Sequence, residues 1–446
     1  MKRFLGFSCL LCLLCLLSAP LAGLSAASAA GFPAELRFTQ NEGQRVYIRD
    51  RVYSLVTYPV TFSAAVNAEM REVIGDLYSR GMQHIPSGSP GETDSLLDVG
   101  AQVFRTGTAW MSFLSVASIA WNREQAYVDM DARAYDMRTG TRLRITDVLR
   151  EDSAVWALLS ERVREGLSAY WPGVTPDGEQ LDLLCAEASL KDARFTMSPG
   201  RLTLHWRADE IYPGKTTLMH VPFSYAELKE YMTEEALLQT DNSMYSLVAV
   251  TFDDGPNGNS TVRVLNTLRR FGAQGTFFMV GTALGNGRWC AAREHDALHD
   301  AESHNWVHVY EDLSPENVKT WKEKFDRLLT SVIGKGADYM RAPGGYFRRY
   351  ITGGANLPMI QWSVTSTDPG SDQIAKIVGI VRSRTKPGSV VLFHDLNPRC
   401  SEYLAQVLQW LEENGYLCVT VGEMFEMYGS PLRGGEVYYS CEDLPR

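Results

Sequence analysis

The 446-residue sequence contains no heptad run, no internal repeat and no low-complexity segment, and past its first thirty residues no CxxC pair. Past the first thirty residues nothing approaches the roughly 18 consecutive apolar residues of a membrane-spanning helix. These absences argue against a cysteine zinc ribbon, a coiled coil, a solenoid and a polytopic membrane protein. Basic residues are also outnumbered: the formal charge is −10. A phosphate backbone is repelled by that charge, so no nucleic-acid partner is expected. What remains, 45% hydrophobic and 22% charged residues, is ordinary globular composition long enough for two or three domains.

The N-terminus reads as a secretory signal peptide over residues 1–30. Lys2 and Arg3 precede an apolar run at 4–17, and the small residues Ala26, Ala27, Ser28, Ala29 and Ala30 follow. The alternative is a retained N-terminal membrane anchor, for which the run is short. Cys9, Cys12 and Cys15 lack the small-residue context of a lipoprotein cleavage site. Cleavage takes the charge to −12, because Lys2 and Arg3 leave and no acid leaves with them. The expectation is a secreted or cell-wall-associated protein with no membrane span after cleavage. Five cysteines then remain (Cys185, Cys290, Cys400, Cys418, Cys441), an odd number that permits one or two disulfides with at least one thiol free.

Residues 36–238 read as an α+β domain. Alternation at 46–52 and 126–132 predicts half-buried strands, and 87–94 is a polar loop. Arg138-Thr139-Gly140 is a hairpin turn between Tyr135 and Leu143, with Ile145-Thr146-Asp147 ending that strand. Residues 155–169 have helical spacing, and 195–197 with 201–206 resemble a hairpin around Pro199-Gly200. Nothing in this half clusters catalytic side chains; Asp209, Glu210 and Tyr212 ahead of Pro213-Gly214 read as a turn.

The pattern changes at 239–243. Apolar strands at 247–252, 275–281, 359–364, 389–393 and 418–421 alternate with helices such as 260–271, 373–384 and 402–414, which implies a mainly parallel sheet or barrel over residues 244–430, followed by a tail at 431–446. In such folds ligands bind at the carboxyl ends of the strands. Acid, imidazole and guanidinium groups lie there: Asp253-Asp254, Arg341, Asp368 and His394-Asp395. Each alone has a plain explanation, a solvated turn for Asp253-Asp254-Gly255-Pro256 or a hydrogen-bonded core imidazole for His394. Their recurrence on successive strand ends is harder to explain that way. His304 and His308 have the spacing that sets two imidazoles on one face of a helical turn, where a strand-end carboxylate could complete an Asp-His-His metal set.

Taken in order, Thr251-Phe252-Asp253-Asp254-Gly255-Pro256, His304-Asn305-Trp306-Val307-His308, Arg341-Ala342-Pro343-Gly344-Gly345, Trp362 to Asp368, and Leu392-Phe393-His394-Asp395 resemble the five motifs of the NodB-homology polysaccharide deacetylases, carbohydrate esterase family four. Gly275-Thr276-Phe277-Phe278 is similar to the family's second strand. The resemblance covers about 244–426. It implies an α/β fold, a distorted (β/α) barrel preceded by a separate α+β domain, with one divalent metal, usually zinc. It also implies roles. Asp254, His304 and His308 hold the metal, and Asp253 is the general base. Arg341 pairs with Asp253, the Gly344 N–H helps stabilise the oxyanion, and His394, oriented by Asp368, protonates the departing amine.

The sequence departs from the family at Asn305 (usually Ser or Thr), Gly344 (often aromatic), Thr365 (often Asp) and Pro369 (usually Trp). Those changes put the fit of the sugar in doubt more than the chemistry. Residues 282–299 could reshape one rim. More diffusely, residues 52–70 and 195–227 resemble accessory domains of Gram-positive cell-wall deacetylases, which points to peptidoglycan among acetylated polysaccharides. The expected activity is removal of N-acetyl groups from N-acetylglucosamine or N-acetylmuramic acid. An O-acetyl esterase of the xylan type and a non-catalytic glycan-binding protein are the competing readings.

Overall fold

The computed structural model describes residues 31–48, 51–86, 97–311, 313–371 and 373–444. The signal-peptide segment and the 87–94 loop lie outside the described residues. The first part of the chain builds a six-stranded sheet in the order β1 (Phe38–Ile48), β2 (Arg51–Thr61), β3 (Leu97–Thr106), β4 (Trp110–Trp121), β5 (Glu124–Asp136) and β6 (Thr141–Leu143). All pairs are antiparallel except β2 with β3. The helix Ala64–Met82, capped by the Ser63 hydroxyl, packs Val66, Met70, Ile74 and Leu77 onto Val99, Val103, Phe113 and Ile119. Every residue of β3 is buried, because both faces of this sheet are covered. A second sheet of β7 (Phe195–Met197), β8 (Arg201–Arg207) and β9 (Leu218–Ser224) shares a core with the helix Ser153–Ser168.

The second part is a parallel ladder in the order β12 (Asp300–Ser303), β11 (Gly275–Met279), β10 (Ser246–Asp253), β15 (Val390–His394) and β14 (Val364–Thr365). Parallel bridges from Ser303 to Met340 and from Met340 to Met359 continue it to β13 (Met359–Ile360), which pairs with β17 (Val437–Tyr438). β16 (Tyr416–Cys418) joins the lower part of β10. The result is an irregular (β/α) barrel. Its strands are apolar runs because both faces are buried. On β10 the two-residue period sends Val248, Val250 and Phe252 out against the helices Gly258–Phe271 and Cys400–Glu413. Thr251 and Asp253 occupy the opposite face, where both meet Arg341. Helix ends follow their signals: Ser314 caps Pro315–Ile333, and Gly334 ends it at φ 86°.

The two parts meet through buried charge. Asp98 of β3 lies 2.6 Å from Arg269 and 3.0 Å from Arg293. Burial works against its charge, yet the two guanidiniums hold its pKa below the ordinary value. One apolar cluster joins Val99 and Phe113 to Leu247, Ala249 and Phe278. Among the described residues no helix is long and apolar enough to cross a membrane.

Several sequence expectations are corrected. Residues 46–52 are not one strand: Val46 pairs with Ser54 and Ile48 with Arg51, so they belong to two antiparallel strands. Ile145–Val148 is a helical turn and not a strand end. The stretch 359–364 is two short strands paired to different neighbours. The strand expected at 418–421 ends at Cys418, and Val421 starts a helix capped by Thr420. The stretch set apart at 431–446 contributes β17 and the fully buried Cys441. All five remaining cysteines are free thiols; Cys400 and Cys418 belong to one apolar cluster and the other three to separate ones.

Candidate active site

At the carboxyl ends of the parallel strands the register fixes the neighbours. Asp253 ends β10 beside His394, which ends β15. Met279 of β11 lies beside Ser303 of β12, and His304 follows directly. Arg341 follows the Met340 bridge. Adjacent parallel strands therefore deliver residues far apart in sequence to one mouth.

His304 and His308 do not share a helical turn, as their spacing predicted. They lie on the loop after β12, where Asn305 adopts φ 70° and donates from its amide to the Val307 carbonyl at 2.9 Å and the Tyr350 hydroxyl at 3.1 Å. That loop still brings the rings together, with centroids 5.2 Å apart. Asp254 Oδ1 is 3.5 Å from His304 Nε2 and 3.3 Å from His308 Nε2. Donors held tetrahedrally at about 2.1 Å from a shared ion stand about 3.4 Å apart. His304 Nδ1 is 2.8 Å from the Arg341 carbonyl, which can only accept, so Nδ1 carries the proton and Nε2 presents its lone pair. Burial outweighs the pull of Asp253 and Asp254 and holds the His304 pKa below the ordinary imidazole value. Asp254 Oδ1 is itself buried without a hydrogen-bond partner. Lone pairs turned toward one another in this way fit a cation between them.

Asp253 and Arg341 are 3% and 0% exposed. Arg341 Nη1 donates to Asp253 Oδ1 at 2.7 Å and to Thr251 at 2.8 Å, and Nη2 donates to the Gln361 carbonyl at 3.0 Å. The guanidinium also stands 4.2 Å from the Phe278 ring centroid. Burial lowers the Arg341 pKa against the opposing charge of Asp253.

His394 Nδ1 lies 2.9 Å from Asp368 Oδ1, and its backbone N–H donates to Oδ2 at 3.0 Å. The Tyr403 hydroxyl donates to Oδ2 at 2.8 Å and the Ser366 hydroxyl to Oδ1. Burial opposes an imidazolium here, but Asp368, with Asp253 and Asp254 behind it, raises the His394 pKa above the ordinary value. Asp368 is correspondingly lowered: its bonds to His394, Ser366 and Tyr403 outweigh its burial. Gly344 sits in a tight turn at φ 60°, and a Cβ there would be 2.7 Å from the Tyr310 ring. Tyr310 in turn packs on His308 with ring centroids 5.3 Å apart. All eight residues singled out in the sequence thus lie around one mouth.

Sequence reasoning missed Thr251, Ser366, Tyr403 and Asp395 as supports. Ser366 carries a local signal, a hydroxyl two residues before an aspartate; Tyr403 comes from a distant helix and carries none. Asp395 is buried beneath the Asp254 loop, accepts from Thr261, and leaves room only for a glycine at 255. Burial pushes its pKa up to about 7. A second group, His220, His295 and Asp296, also lies within metal-binding distances. His220 Nε2 faces the His295 carbonyl at 3.2 Å and its Nδ1 faces His205 at 2.9 Å. Both nitrogens are engaged, so that group is a hydrogen-bonded core.

A carboxylate and two imidazoles at the mouth of a parallel barrel, with an Asp-Arg pair and an Asp-His pair beside them, define a hydrolase-type centre. The polysaccharide deacetylase family profile matches residues 241–358. The chitooligosaccharide deacetylase of a Bradyrhizobium species is 32% identical over 158 residues, 34% of this chain and 71% of that protein. The peptidoglycan-N-acetylglucosamine deacetylase PgdA of Listeria monocytogenes is 31% identical over 202 residues, 44% of this chain but only 42% of that protein. A solved T48 deacetylase with substrate covers 44% of this chain and 98% of its own, with 28% identity and a TM-score of 0.42. The chain belongs to the polysaccharide deacetylase family.

Proposed function

We propose that this protein is an exported, metal-dependent hydrolase that removes N-acetyl groups from a polysaccharide, with N-acetylglucosamine or N-acetylmuramic acid of peptidoglycan as the substrate. Asp254 Oδ1, buried and unpartnered between two imidazole nitrogens, is the observation that carries the reading. Asp254, His304 and His308 would hold one divalent ion, zinc by the preference of that donor set. The ion supplies Lewis acidity toward water and the amide carbonyl.

The remaining steps belong to the chain. Asp253, with Oδ1 tied to Arg341, keeps Oδ2 to take a proton from the attacking water. His394 donates a proton to the departing sugar nitrogen, an amine anion being too poor a leaving group to go unassisted. Asp368 holds the donor's tautomer and raises its pKa. The backbone N–H of Gly344 would add a donor for the oxyanion. An ester would need less help to expel its alkoxide, so the Asp368–His394 pair favours amides over O-acetyl esters. Names of relatives that act on peptidoglycan support the substrate class, and the 1–30 segment supports export.

The test is acetate release from peptidoglycan, chitin oligomers and acetyl-xylan. Release from the N-acetylated glycans, abolished by EDTA, restored by zinc and lost in Asp253→Asn, is expected. Release from acetyl-xylan alone would transfer the activity to O-esters; binding without release, indifferent to Asp253→Asn, would make the protein a glycan-binding module.

A further inference from the structure

Among the described residues four Phe, Tyr or Trp side chains are exposed: Phe62, Tyr310, Tyr346 and Tyr439. Two of them meet at the mouth. Tyr310 (46% exposed) and Tyr346 (52% exposed) have ring centroids 5.4 Å apart at 60°. Tyr310 also stands near-perpendicular to His308, at 82°. A third, Tyr439, packs edge-on against Phe347, the residue after Tyr346. The arrangement is braced: Arg349 donates to the Tyr310 carbonyl at 3.2 Å. It also depends on Gly344, because a Cβ there would lie 2.7 Å from the Tyr310 ring and 3.0 Å from that of Tyr346. The glycine at a position where the family often has an aromatic therefore makes room for rings supplied from two other places in the chain.

Half-exposed aromatic rings leave apolar area in water, which is unfavourable unless a ligand covers it. Leu396, two residues past His394, adds a further exposed apolar group at 41%. A neutral hexosamine has an apolar C–H face that matches a ring face, while its hydroxyls remain in water.

We propose that Tyr310 and Tyr346 form the platform on which a pyranose ring of the N-acetylated glycan stacks, and that they set the specificity of the site for an oligosaccharide over a single sugar. This rests on the deacetylase reading given above. The pair positions substrate and takes no part in proton transfer.

The probe is N-acetylchitotetraose, with binding followed by calorimetry and turnover by acetate release. Tyr310→Ala and Tyr346→Ala should each raise Kd and KM about tenfold, the size of one lost ring contact, with kcat changed less than twofold. Tyr310→Phe should retain wild-type KM, because stacking uses the ring and not the hydroxyl. Tyr310 touches His308, so zinc content is measured on each variant; if Tyr310→Ala loses zinc, Tyr346→Ala decides. Unchanged Kd and KM in Tyr346→Ala, or a Tyr310→Phe variant that retains zinc yet has KM raised tenfold, would overturn the platform while leaving the deacetylase reading intact. Tyrosine-dependent binding without acetate release would overturn the deacetylase reading and leave the platform. A wild-type protein that neither binds nor hydrolyses the tetraose would overturn both.

Discussion

The acid side of the chemistry resides in one hydrogen-bonded pair. Asp368 accepts from His394 Nδ1, from the His394 backbone, from Tyr403 and from Ser366, so its position is fixed from four directions. Its charge is what raises the His394 pKa. Asp368→Asn preserves size and removes that charge. The His394 pKa should then fall, because the carboxylate that holds it up is gone. Because His394 must be protonated to act, activity is lost as pH rises through its pKa, and the alkaline limb of the pH–rate profile should move to lower pH. At neutral pH the rate should drop by about 10²-fold, the lower end of what a positioned general acid supplies. A full profile of kcat checks this; an unmoved alkaline limb would remove His394 from the role of acid. At this scale the sequence was highly informative. All eight singled-out residues carry reactive or backbone-defining chemistry at strand ends, and the order of their motifs was enough to associate them. Their supports were legible only where the link was local. Ser366 lies two residues from Asp368, whereas Tyr403 is 35 positions away on a helix whose pattern shows only a buried apolar face.

The elements explain why some short segments matter more than their length implies. Arg341 is held by the Gln361 carbonyl at 3.0 Å, and the Gln361 N–H is held by the Tyr438 carbonyl at 2.7 Å. Met359 is held likewise by Glu436 at 2.8 Å, and Cys441 donates to Gly388 at 2.8 Å. A chain ending after Pro431 loses all three bonds, at about 1 kcal/mol each, together with the burial of Cys441. Its thermal midpoint should fall. The Arg341–Asp253 pair should also loosen, so that acetate release declines well beyond the loss of folded protein. Unchanged specific activity in the folded fraction of that truncation would show that β17 does not support the site. Periodicity predicted the long elements: β10, β15 and the helices read at 260–271, 373–384 and 402–414 follow from their apolar patterns. It failed where an element is two residues long. β13, β14 and β17 are defined by their neighbours, and no two-residue strand has a period to read. The His304–His308 loop failed differently, since its spacing matches a helix while the left-handed Asn305 breaks one.

At the scale of the whole molecule the two parts are joined by groups that tolerate neutrality and not added protons. His205, His295 and His299 are buried, and His220 is partly so, all in the region where β8 and β9 meet the helix Arg288–Asp296 and β11. Their hydrogen bonds leave little latitude. His295 Nε2 faces the Leu218 carbonyl at 3.0 Å, His220 Nε2 faces the His295 carbonyl, and His299 Nδ1 accepts from Gly275 at 3.1 Å. Burial lowers all four pKa values, those of His220 and His299 to about 3, with Lys335 adding to the effect on His220 and Arg293 on His299. The unfolded chain takes up these protons near pH 6.5 and the native state does not. The stability they contribute is therefore complete above about pH 6.5 and is lost progressively as pH falls toward 3. Buried acids work in the opposite direction: Asp296 is pushed up to about 6 and Asp395 to about 7, and burial raises Glu294, Glu302 and Glu423 as well. Each histidine contributes a slope of about 1.4 kcal/mol per pH unit, which the buried acids offset in the whole protein. Its share is therefore read by comparing the thermal midpoint between pH 6 and pH 5 in the wild type and in a variant lacking that histidine. His299→Gln keeps an acceptor for Gly275 and cannot titrate, so it should remove one proton's worth of that slope. A His299→Gln slope equal to wild type would mean that the union of the two parts does not depend on a neutral imidazole at 299.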